Sequence, residues 1–95
     1  MIGVITRLTV KTGANAAFEA AMKPIIAKVR SDESSNKLCA LYKLPDANGY
    51  ILFQRYDNEK AFEAHQTTPH YQELRRMLVD HLASRPDWQV THEVA

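Results

Sequence analysis

Four strand-like segments and two helical regions, in the order β-α-β-β-α-β, predict an α+β fold of the split βαβ, ferredoxin-like type. Three observations carry that prediction. Residue polarity alternates with period two near both ends of the chain. A stretch of helical period follows the first strand, and two apolar runs around a loop of turn residues read as a central hairpin. The expected architecture is an antiparallel four-stranded sheet with the helices on one face. Residues 1–95 are read as one domain.

Ile2, Val4, Thr6, Leu8 and Val10 alternate with Gly3, Ile5, Arg7 and Thr9, which predicts the first strand. Lys11-Thr12-Gly13 is a turn, and Thr12 or Asn15 is placed to cap the following helix. From Asn15 to Arg30 the apolar residues Phe18, Ala21, Met22, Ile25, Ile26 and Val29 fall on one helical face. Pro24 lies inside that helix and predicts a kink near Ala20–Pro24, because proline removes a donor and crowds the carbonyl four residues back. Residues 31–37 are polar and connect to a second strand, Leu38 to Leu44. Pro45-Asp46-Ala47-Asn48-Gly49 is a turn in which Asn48 and Gly49 accept positive φ. Tyr50 to Tyr56 is the third strand.

Asn58 then caps a short helix that ends near His65, and Thr68 caps the next, with Pro69 at its first position. Tyr71, Leu74, Leu78 and Leu82 form the apolar stripe of that second piece, flanked by Met77 and His81, and Arg85-Pro86 ends it. Trp88, Val90, His92 and Val94 alternate with Gln89, Thr91 and Glu93 in a fourth strand. Strands two and three carry apolar residues on both faces: Leu38, Ala40 and Tyr42 against Cys39 and Leu41, Ile51 and Phe53 against Tyr50 and Leu52. A small sheet that is apolar on both sides needs a second sheet against it, and a homodimer supplies one.

Composition narrows the function classes. A net charge of +1, with twelve Lys and Arg against eleven Asp and Glu, argues against nucleic acid or a membrane surface as partner. Cys39 is the only cysteine and sits in an apolar run, so it reads as a buried, inert thiol. No stretch approaches the ~18 apolar residues of a membrane span, and the start of the chain reads as a strand, so a cytoplasmic location is expected. Nucleotide-binding glycine patterns and serine elbows are absent, as are His and Cys pairs at zinc spacing. His65, His70, His81 and His92 therefore predict no metal site.

The chemistry that remains lies in Tyr50–Tyr71, where a strand feeds a broken helix with His65 at the break. An imidazole there suits a general base near neutral pH, or a helix end that bonds backbone carbonyls. Tyr56 is a candidate donor to a substrate oxygen, or a core aromatic with its hydroxyl at the edge. Asn36 and Arg55 are further candidate donors, and Tyr42, Tyr71 and Trp88 are candidate pocket walls.

Gln54-Arg55-Tyr56-Asp57-Asn58 followed by His65-Gln66-Thr67-Thr68-Pro69-His70-Tyr71 resembles the antibiotic biosynthesis monooxygenase family of small dimeric α+β barrels. Lys11-Thr12-Gly13 and the patch Lys28–Glu33 are similar too, so the resemblance spans nearly the whole chain. It implies a homodimer and a small aromatic or carbonyl substrate. It also implies a cofactor-free oxygenase that uses molecular oxygen on quinols or polyphenols. The residues it points to are catalytic His65, Tyr56 and Asn36, with Tyr42, Arg55, Tyr71 and Trp88 at the substrate. The family also includes isomerases of phosphorylated diketones, for which Lys37, Arg55 and Arg76 are the cations here, and proteins without assigned activity, which leaves a non-catalytic ligand-binding barrel open. Departures from the family pattern are Gln54 and Tyr56 where Glu and Trp are common, and Ser34 and Leu38 where Gly and Tyr are common. The Trp and the later His of the haem-degrading members have no counterpart, which argues against haem degradation.

Overall fold

The computed structural model describes residues 1–95. Its elements are β1 (Ile2–Thr9), α1 (Asn15–Asp32), β2 (Asn36–Lys43), β3 (Gly49–Tyr56), α2 (Glu59–His65), α3 (Pro69–His81) and β4 (Asp87–His92). The four strands form one antiparallel sheet in the order β2-β3-β1-β4, the ferredoxin-like arrangement with its second helix in two pieces.

The register divides the side chains as the alternation predicts. Ile2, Val4 and Leu8 of β1, Cys39 of β2 and Tyr50, Leu52, Gln54 and Tyr56 of β3 are buried under the helices. Phe18, Met22, Ile25 and Val29 of α1 pack on that face together with Leu74 and Met77 of α3. The opposite face carries Ile5, Leu38, Tyr42, Ile51 and Phe53 with no helix over them. Tyr42 and Phe53 meet edge to face across that surface at 5.5 Å.

Several local expectations are corrected. α1 runs two residues past Arg30 to Asp32, with Pro24 inside it as expected. Ala20 and Pro24 both lie on the exposed side of the helix, where the carbonyl that proline leaves without a donor is open to solvent. Neither Thr12 nor Asn15 caps the helix; Ala14 holds the cap position, with no side-chain bond. Asn15 instead donates to the Ala47 carbonyl and the Tyr50 hydroxyl, tying the helix to the hairpin loop. That loop uses no positive φ, for Gly13 alone has one, at 84°. Gly49 is needed for room, since a Cβ there would meet the Asp46 carboxylate at 2.3 Å. That carboxylate accepts a 2.9 Å bond from Arg7, and this hydrogen bond, more than the charge behind it, holds its pKa below the usual range.

The cap residues around the helix break are as expected. Asn58 accepts from the Ala61 amide and Thr68 from the Tyr71 amide. α3 stops at His81, four residues before Arg85, because the chain turns there to bridge β1: Leu82 pairs with Val10, and the Ala83 amide donates to the Thr9 carbonyl. The buried stripe of α3 is His70, Leu74 and Met77, one position round from the predicted stripe; Tyr71 and Leu78 are half-buried. β2 begins at Asn36, with a register irregularity between Asn36 and Leu38, and β4 ends at His92 before Val94.

Phe18 is fully buried at the centre of the core and touches the Tyr50 ring at 4.9 Å, whereas Val79 lies on the exposed side of α3. Chemical denaturation of Phe18→Ala should show a loss of about 3–5 kcal/mol, and of Val79→Ala less than about 0.5 kcal/mol.

Candidate active site

The break between α2 and α3 is pinned by its own threonines. Thr67 Oγ1 donates to the Ala64 carbonyl at 2.8 Å and Thr68 Oγ1 to the His65 carbonyl at 2.7 Å. Those bonds occupy the last carbonyls of α2 and leave the His65 ring free to turn inward, where it is 3% exposed. The helix-end alternative, a ring spent on backbone carbonyls, is therefore not what the structure shows.

The His65 ring meets Glu33. Nδ1 lies 2.8 and 2.7 Å from the two Glu33 carboxylate oxygens, and His70 Nε2 also bonds Oε2 of the same carboxylate. Glu33 caps the C-terminus of α1: its amide donates to the Val29 carbonyl, and its own carbonyl accepts from the Asn36 amide. The helix end, the start of β2 and the α2–α3 break thus converge on one carboxylate whose side chain is 11% exposed. An ionised carboxylate only accepts, so each imidazole donates an N–H to it. His65 then carries its proton on Nδ1, and its Nε2, which bonds no protein group, holds a free lone pair. Tyr71 stands edge-on to the His65 ring at 5.1 Å and fixes its plane.

His65 forms part of the wall of a cleft of about 450 Å³ between the sheet and α2–α3, within the size range of small-molecule sites. Phe62, Leu74, Tyr71 and Trp88 give it apolar walls, and Gln54 adds a buried amide that donates to the Cys39 sulfur at 3.7 Å. Burial pushes the Cys39 thiol up, so it stays protonated and inert. The arrangement offers a proton acceptor on the wall of a largely apolar chamber.

The candidate residues from the sequence separate into three groups. His65, Tyr71 and Trp88 line the cleft. Tyr56 and Asn36 lie outside its lining, beside the Glu33 carboxylate, and the buried Tyr56 hydroxyl and Asn36 Nδ2 have no neighbouring polar partner beyond each other. Tyr42 and Arg55 are on the far face of the sheet, Arg55 against the Met1 sulfur, and do not reach the cleft. Glu33 was missed because it is 32 residues from His65 and shows no periodicity. His70 had a signal, since it shares the helical spacing of Leu74 and Met77.

Glu33, His65 and His70 place their donor atoms within 4.8 Å of one another. Two imidazoles and a carboxylate are a set that divalent transition metals accept. Here the donors are spent on each other, and an ion could enter only by breaking both hydrogen bonds.

Burial, and secondly the Glu33 charge, push the Tyr56 phenol far above its ordinary value. A raised folded-state pKa means that this stabilisation is complete below the unfolded value near 10 and is lost as pH rises beyond it. In Tyr56→Phe, stability at pH 7 should stay within about 1 kcal/mol of the parent, because the lost hydroxyl has only the Asn36 amide beside it and forms no full hydrogen bond. The fall of the melting temperature above pH ~10 should shrink in the same variant; thermal melts across pH check both.

The comparisons with known proteins agree with this architecture. The family model for antibiotic biosynthesis monooxygenase matches residues 1–77. A Mycobacterium tuberculosis protein named as a monooxygenase, Rv0793, is 29% identical over 85 residues, which cover 90% of this chain and 82% of that protein. Its solved structure superposes with a TM-score of 0.91 at 26% identity, over 99% of this chain and 95% of that one. Structures named for the same family from Nitrosomonas europaea and Caulobacter crescentus share the fold. The first has a TM-score of 0.91 at 24% identity, covering 100% of each chain. The second has 0.94 at 22%, covering 99% of this chain and 90% of that one. With the family model matching most of its length, the chain belongs to the antibiotic biosynthesis monooxygenase family.

Proposed function

We propose that the protein is a cofactor-independent monooxygenase of a quinol-like or polyphenolic small molecule, with His65 as its general base. The observation that carries this reading is the bond from His65, in the wall of the apolar cleft, to Glu33 behind it. A carboxylate on Nδ1 orients the ring, fixes the tautomer and stabilises the imidazolium formed when Nε2 takes a proton. Family membership and the monooxygenase name of the Mycobacterium tuberculosis relative support the reaction class.

The chemistry needs no further electron source. His65 Nε2 removes a phenolic proton, and the electron-rich anion reduces molecular oxygen within the cleft. Carbon–oxygen bond formation gives a peroxide of the ring, whose O–O bond breaks with loss of water. One quinol and one dioxygen become one hydroxylated quinone and one water, so the substrate itself supplies the electrons. The protein contributes deprotonation, orientation and exclusion of bulk water. Tyr56 and Asn36 then act behind the His65–Glu33 pair, as buried polar groups beside the carboxylate that receives the imidazolium.

The same proposal includes one domain of residues 1–95 working as a homodimer, in the cytoplasm. Support for the dimer is the uncovered sheet face with Ile5, Leu38 and Tyr42 exposed, a surface that a second copy would bury. No helix is long and apolar enough to cross a membrane. For the isomerase alternative, Lys37 pairs with Asp57 at 3.7 Å, Arg55 lies on the far face, and Arg76 is not among the cleft residues, so the cations it called on do not gather.

An oxygen electrode with reduced naphthoquinones should record uptake of one dioxygen per quinol. In His65→Ala the rate should fall about 100-fold or more, with an unchanged circular dichroism spectrum and sedimentation mass. In Glu33→Gln it should fall to a similar degree, since the amide offers the ring a poorer acceptor and no charge. Full uptake by His65→Ala rejects the mechanism, and turnover without oxygen uptake transfers the reading to the isomerase class.

A further inference from the structure

We propose that the cleft selects an anionic ligand: a flat ring carrying a carboxylate or phosphate group, with the ring beside His65 and the anion held by Arg75 and Arg85. The proposal rests on the cleft described above and adds the chemical class of its occupant. The charges around the cleft carry it. Among the lining side chains Arg75 and Arg85 are the permanent cations, and no acidic residue lines the cleft at all.

Neither guanidinium has an acidic partner. Three of the twelve Lys and Arg do: Arg7 pairs with Asp46 at 2.9 Å, Lys37 with Asp57 at 3.7 Å, and Lys28 with Asp32 at 3.9 Å. What distinguishes Arg75 and Arg85 from the other unpaired cations is their place on a cleft that no acidic residue lines. Their placement follows from the fold. Arg75 stands one helical turn beyond Tyr71 and one before Val79, on the face of α3 that borders the cleft. Arg85 belongs to the segment Ala83–Pro86, which the Ala83–Thr9 hydrogen bond holds against the end of β1.

Burial orders the site from inside to outside. His65 is buried and both arginines are exposed, so the base marks the inner end and the cations mark the mouth. A rim of one sign around low-dielectric walls raises the local potential and draws anions in. Guanidinium groups match carboxylate and phosphate oxygens two at a time. A ligand anchored by its anion at the rim would direct the opposite edge of its ring toward His65.

The test is calorimetric titration of the intact protein with three probes on one ring, 2-naphthoate, its neutral isostere 2-naphthamide, and 2-naphthyl phosphate. At least one anion should bind 10-fold or more tightly than the amide, and raising the salt should weaken that anion alone. The double variant Arg75→Gln/Arg85→Gln should lose the preference while keeping the amide affinity, which reports the integrity of the apolar cleft. Tighter binding of the phosphate than of the naphthoate assigns the anion as a phosphate, and the reverse as a carboxylate. Equal binding of amide and anions by the parent, no anion binding at millimolar concentration, or a preference that survives in the double variant each overturns the proposal. The probes carry no oxidisable hydroxyl, so their binding is read without turnover. Failure of the monooxygenase mechanism would therefore leave this result standing, and the converse also holds.

Discussion

The carboxylate of Glu33 stands between the imidazoles of His65 and His70, and the working end of the molecule is organised around it. Withdrawing a charged group from water costs several kcal/mol, and only hydrogen bonds to both of its oxygens offset that cost. Each imidazole supplies a charge-assisted bond of roughly 1.5–3 kcal/mol. The consequence is geometric as much as energetic. One contact joins the end of α1, the α2–α3 break and, through the neighbouring backbone, the beginning of β2. Moving any one of these elements would leave a buried charge uncompensated.

The break in the second helix makes the site possible. Thr68 and Pro69 end one helix and start another within a few residues, and the threonine hydroxyls take up the free carbonyls. Without the break, His65 and His70 would be five positions apart on one cylinder and would point in different directions. With it, both reach the same carboxylate, and the cleft beside His65 is walled by Phe62, Leu74 and Trp88. Sequence chemistry at four residues thus passes into packing, and packing into a ring whose tautomer is set.

The fold was legible because its signals are local and repeated. Alternation in β1, the spacing of Phe18, Met22, Ile25 and Val29, and the caps at Asn58 and Thr68 each depend on neighbours in the chain. His65 was legible for the same reason, sitting where one helix visibly stops. Glu33 was not, because a long-range hydrogen bond leaves no mark in period or spacing. Asn15 was misread as a cap because the sequence does not show that the hairpin loop passes within reach of its amide. Tyr42 and Arg55 were placed at the substrate by residue type, but strand parity sends both to the other face of the sheet. Arg75 and Arg85 belong to stretches that look like ordinary solvated surface until the cleft between them is seen.

The central claim is that Glu33 holds the His65 ring with its proton on Nδ1 and its Nε2 open toward the cleft. Long-range proton–nitrogen NMR correlation of the histidine rings reads that directly. The account predicts an Nδ1-protonated neutral tautomer for His65 in the parent, lost or mixed in Glu33→Gln. A His65 ring protonated on Nε2 in the parent, or a spectrum indifferent to the Glu33 substitution, would contradict it.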